Sequence, residues 1–149
     1  GDLAQRGTSF PGLQKFFDDA RDGKLPEVSY IVAPMQLSEH PPYMPMDGAW
    51  IQGEVAKAVM HGKNWDSTAL IYSYDETGGW ADHVVSPYPP QSEESEWIED
   101  PYDKSNGITP IGPGFRLPFY IVSPWTSGGH VFTEHAAHES QIMFLGPKN

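Results

Sequence analysis

The chain has 149 residues, 38% of them hydrophobic and 13% aromatic, which suits one domain with a core and excludes a disordered composition. A formal net charge of −11 argues against electrostatic binding to nucleic-acid backbones or anionic membranes; it fits simple solvation, or acids that hold a cation. With no cysteine there are no disulfides, thiolate metal sites or thiol catalysis, and no apolar run of about 18 residues offers a transmembrane segment.

In chain order, Pro11 to Asp22 places apolar residues at 13, 16 and 17, the spacing of a short amphipathic helix ending near Gly23. The run "VSYIVA", 28–33, predicts a buried strand stopped by Pro34, followed by the Pro-rich loop "MQLSEHPPYMPM". Asp47 is expected to N-cap a second helix, with Ala49, Ile51, Val55, Ala58 and Val59 inward and Gly62 as its stop. Thr68 to Tyr74 reads as a second strand, and residues 77–114 as a long loop with six acids between 92 and 103. "FYIV", 119–122, is a third strand stopped by Ser123-Pro124, and a last helix is expected from Ala136 to Leu145. Fifteen Gly and fifteen Pro imply long, shaped loops between these elements.

Strand and helix alternation with short, nearly continuous apolar runs predicts an α/β layer, a mostly parallel sheet flanked by helices. Sites in such sheets form beyond the C-terminal ends of strands. That rule would bring Ser38-Glu39-His40-Pro41-Pro42, the stretch from Asp75 to His83, and Ser123-Pro124-Trp125 to one edge. Asp75 and Glu76 leave a strand as neighbours; either they share a divalent cation, or Asp75 caps a turn and Glu76 sits in water. Gly78 and Gly79 allow a tight turn near a ligand. Asp82-His83 reads as a base with its orienting carboxylate or as a pair of metal ligands, although neighbours on a strand point opposite ways. His40 has the same two readings, in a loop stiffened by Pro41 and Pro42. His130, His135 and His138 are either a zinc site or surface histidines at a helix start, and a near-buried Arg116 is expected to pair with a carboxylate. No G-x-S-x-G elbow and no phosphate-binding glycine loop is present.

Together, Ser38-Glu39-His40-Pro41, the stretch Tyr74 to Val84, and Gly114-Phe115-Arg116-Leu117-Pro118 with Ser123-Pro124-Trp125 resemble the phosphoesterase family. That family contains the phosphatidylcholine-type, non-specific phospholipases C and related acid phosphatases, within the alkaline-phosphatase-like superfamily. Its patterns read roughly EHP, DExxGxxDHVxPP and GxRVPxxxxSP, in this order, and the likeness is strongest to fungal-type members. Val85-Ser86-Pro87 departs from the tight V-x-P-P ending, and Leu117 stands for the usual Val. The family's E-N-R-S-F-D and T-x-P-N-R stretches do not occur, so the chain resembles the C-terminal part of a member, a single partial domain over 1–149.

The resemblance implies a metal-dependent hydrolase of phosphate esters, with phospholipid headgroup phosphodiesters the foremost substrate. It implies Asp75 and Glu76 as metal ligands for Ca, Mg, Mn or Zn, and His40, Gly78 and Gly79 around the phosphate. His40, Asp82 and His83 would be catalytic and Arg116 structural, with the nucleophile supplied outside these residues. The second expectation is a catalytically incomplete fragment, or an acidic cation-binding module. The N-terminus shows neither a start Met nor a signal-peptide core, which reads as a fragment or processed product; secreted and intracellular settings are both compatible.

Overall fold

A computed structural model describes residues 12–146. The first helix, α1, spans Gln14–Asp22 and stops in a Schellman motif. Gly23 takes φ 71°, its N–H donates to Ala20 O, and Lys24 N–H donates to Asp19 O at 2.7 Å. The second helix, α2, spans Pro45–Met60, with Pro45 filling the first position, where no N–H is needed. Asp47 is therefore three positions past the N-cap, which is Met44; its carboxylate reaches back to accept the Met44 N–H at 3.1 Å. The helix starts earlier than expected because Pro45 is pre-shaped for it.

Ile51, Val55 and Val59 recur every four residues, one stripe along α2, and with Ala20 of α1 they are the buried apolar side chains among the described residues. Ala49, expected inward, is exposed. The two helices meet at Gly62, just past α2, where a Cβ would lie 2.6 Å from the Ala20 carbonyl oxygen. Asn64 then donates to Gly23 O at 3.1 Å and ties the two helix ends.

Strand β1, Leu70–Ser73, pairs with the strand Phe119–Val122, and the pairing is antiparallel, Leu70 opposite Val122 and Ser73 opposite Phe119. Between them lies a ribbon, β2 (Trp97–Glu99) antiparallel to β3 (Ile108–Pro110); the strand 119–122 is thus β4. The expected parallel sheet is not what forms among the described residues: both sheets are two-stranded and antiparallel. The segment 74–118 leaves from one end of β1 and returns to that same end, which reverses β4. Nothing in a short apolar run encodes its direction.

The expected strand at 28–33 does not form: the segment has no strand partner among the described residues, and Tyr30 and Val32 are 80% and 87% exposed. Its apolar pattern is strand-like, but a strand also needs a neighbour to take its hydrogen bonds. In the acidic stretch, Asp100 accepts from Tyr102 N, Asp103 N and Asn106 Nδ2, and Gly107 turns at φ 70°, which closes the β2–β3 ribbon. The last helix, α3, spans His138–Leu145. His135 precedes it, so His135 and His138 do not share a helical face.

Candidate active site

Because β1 and β4 run antiparallel, the end of β1 lies beside the start of β4. Arg116 therefore approaches the stretch from Asp75 to His83, whereas Ser123-Pro124-Trp125 leaves from the opposite end of the sheet. The expectation that all three clusters meet is corrected on that point. The N-terminus of α3 joins the same edge: His138 Nε2 donates to Tyr74 O at 2.8 Å, and Gln141 Nε2 donates to Ser73 Oγ at 2.7 Å.

Asp75 and Glu76 are exposed, and Asp75 Oδ1 accepts the Glu76 N–H at 2.9 Å. His40 Nε2 stands 3.8 Å from Glu76 Oε1. His40 Nδ1 lies 2.9 Å from Pro41 O. A carbonyl only accepts, so Nδ1 carries the proton in that contact. Nε2 is then the lone-pair nitrogen of the neutral ring and a second donor when the ring is charged. The Pro41–Pro42 peptide is cis.

Glu39, next to His40, is more deeply held than His40 itself. One carboxylate oxygen accepts from Gln52 Nε2 at 2.6 Å and the other from the Tyr74 hydroxyl at 2.8 Å. Gln52 Nε2 also donates to Tyr74 Oη at 2.9 Å. Burial, and then the Glu39 carboxylate beside it, pushes the Tyr74 phenol up, which keeps it a donor.

Gly78 and Gly79, at φ 65° and 83°, make a tight turn closed by Trp80 N–H to Thr77 O at 3.0 Å. The turn folds the Trp80 indole back, and its Nε1 donates to Glu39 O at 2.9 Å. A Cβ on Gly78 would sit 3.2 Å from that indole, while the space beside Gly79 is open.

Asp82 is claimed by Arg116 rather than by His83. Arg116 Nε donates to one carboxylate oxygen at 2.8 Å and its terminal nitrogen to the other at 3.3 Å. The guanidinium, followed by the Val84 N–H, holds the Asp82 carboxyl below its ordinary value. Arg116 was expected near-buried; its side chain is 69% exposed, with the aspartate the less exposed partner at 17%. His83 is exposed, and among the described residues none hydrogen-bonds its ring.

The Asp75–Glu76 oxygens are the right donor type for a hard cation, but a calcium ion takes about six to eight oxygens. Among the described residues no group of three or more His, Asp or Glu side chains converges to hold one. Two clefts, of about 420 Å³ beside Trp97 and about 340 Å³ between α1 and residues 62–70, lie away from this edge. Sequence reasoning missed the anchoring of Glu39 by Gln52, and the approach of His138. Neither leaves a local signature, since each depends on a partner distant along the chain.

The chain matches the phosphoesterase family over residues 2–148. It is 37% identical to the non-hemolytic phospholipase C of Burkholderia pseudomallei, with 97% of this chain and 22% of that protein covered. It is 35% identical to the hemolytic phospholipase C of Pseudomonas aeruginosa, covering 97% and 20%, and 32% identical to a non-specific phospholipase C of Arabidopsis thaliana, covering 80% and 24%. The chain thus spans about a fifth to a quarter of the length of these relatives. The chain belongs to the phosphoesterase family.

Proposed function

We propose that this chain supplies part of the active site of a phospholipase C-type phosphoesterase, which cleaves the phosphodiester between a diacylglycerol and its headgroup. The reading is carried by one observation: His40 Nε2 meets Glu76 Oε1 at 3.8 Å, at the strand end that also holds Asp75, in a chain of this family. The relatives' names as phospholipases C support the substrate class.

Asp75 and Glu76 are proposed as two ligands of a divalent cation, which when bound would polarise a phosphoryl oxygen and offset developing charge. His40, with Nδ1 engaged by Pro41 O, presents Nε2 to a phosphate oxygen or to the leaving alkoxide as a proton donor. In the Gly78-Gly79 turn, Gly78 is covered by the Trp80 indole, and Gly79 leaves open backbone beside the acids for close approach of a phosphate. Asp82, fixed by Arg116, holds the loop that carries His83.

The test is titration calorimetry with Ca²⁺, Mg²⁺, Mn²⁺ and Zn²⁺ on the parent and Asp75→Asn, with hydrolysis of a chromogenic phosphocholine ester measured alongside. Metal binding that disappears in the variant, with turnover that falls by orders of magnitude, is expected. A variant with parental binding and turnover would end the assignment. The second reading, a cation-binding module without catalysis of its own, is favoured by the count of two carboxylates at the strand end; binding without turnover would select it.

A further inference from the structure

Among the described residues, Glu39 is the non-glycine residue with positive φ, at 65°. That conformation is costly for a residue with a Cβ, so surrounding contacts must hold it. Three elements do so. Gln52 of α2 and Tyr74 at the end of β1 each occupy one oxygen of the carboxylate, and the Trp80 indole donates to the carbonyl. Glycine at position 48 makes room, because a Cβ there would overlap the Glu39 side chain. A solubilising glutamate would have no such setting.

We propose that Glu39 is a positioning residue: clamped by Gln52, Tyr74 and Trp80, it fixes the left-handed turn that sets the His40 imidazole against Glu76. Glu39 acts on the ring through the backbone, with the three anchors converting the packing of α2, β1 and the 77–80 turn into one orientation of His40. A carboxylate suits the task because both its oxygens accept; a glutamine would turn an amide N–H₂ toward one of the two donors. The proposal rests on the reading of His40 as the group that meets the phosphate.

The experiment is nuclear magnetic resonance on the chain, its Tyr74→Phe variant and its Glu39→Gly variant. The readouts are cross-relaxation between the His40 ring and the Glu76 side chain, and the Trp80 indole N–H signal. Glycine tolerates φ 65°, so Glu39→Gly removes the clamp without adding strain. Both variants are expected to lose the His40–Glu76 cross-peaks and to shift the Trp80 indole and the α2 amides around Gln52, with the amide signals of α1 and of residues 55–60 unchanged. A role in folding alone would move those helix signals instead. Cross-peaks that persist in both variants would overturn the proposal, and if Glu39→Gly does not fold, persistence in Tyr74→Phe alone suffices. Inorganic phosphate titrated onto the parent separates the two readings. No perturbation at His40, with cross-peaks lost in the variants, supports the clamp and counts against the phosphate role. Perturbation at His40, with cross-peaks kept in the variants, overturns the clamp alone.

Discussion

On the helical side the buried apolar side chains among the described residues are Ala20 of α1 and Ile51, Val55 and Val59 of α2, and the helices close on the backbone at Gly62. At the end of β1 the joints are polar: Glu39 to Tyr74 and Gln52, Arg116 to Asp82, His138 to Tyr74 O. Apolar burial is non-directional and tolerates small shifts, whereas a hydrogen bond fixes a distance and an angle. The helical side therefore holds the chain folded, and the strand-end side fixes where particular atoms stand.

Substitutions on the two sides should separate stability from geometry. Ile51→Ala is expected to cost about 2–4 kcal/mol, read by chemical denaturation, since it empties part of a small core. A midpoint that does not move would mean the α2 stripe carries no core. Gly62→Ala comes next, at about 1–3 kcal/mol, because its methyl meets the Ala20 carbonyl and the helices must part. Gly79→Ala, in open space at φ 83°, should cost about 1 kcal/mol from backbone strain alone. Equal losses at the two glycines would remove the distinction between packing and turn.

The smallest effect is electrostatic. Arg116 lowers the Asp82 carboxyl in the folded chain, so the pair contributes stability above the unfolded aspartate value, near 3.9, and loses it as pH falls through the folded value. Arg116→Ala should thus be less stable than the parent at neutral pH, with the gap closing in acid. A gap that widens below pH 4 would contradict the pairing.

The sequence made visible what local patterns encode. "FYIV" is β4 residue for residue, and Gly23 ends α1 because a left-handed stop is written in one residue. The Asp75-Glu76 stretch stands at a strand end, as its position after the expected strand Thr68–Tyr74 implied, although the strand itself is the shorter Leu70–Ser73. The antiparallel direction was not visible, because it is set by where the 74–118 excursion returns. Residues 28–33 have the pattern of a strand without the partner that would complete one. In "SEHPP" the eye goes to His40, yet Glu39 carries the long-range bonds, and its partners Gln52 and Tyr74 are ordinary residues in their own elements.

The separation of those partners has a kinetic consequence. Glu39 lies 35 residues from Tyr74 and 41 from Trp80, Arg116 lies 34 from Asp82, and His138 lies 64 from Tyr74. The helix bonds close over a few residues, so their loop-closure cost comes early and cheaply, while each site contact must wait for a long chain segment to return. The strand-end site should assemble after the folding barrier is crossed. Tyr74→Phe would then speed unfolding and leave the folding rate unchanged.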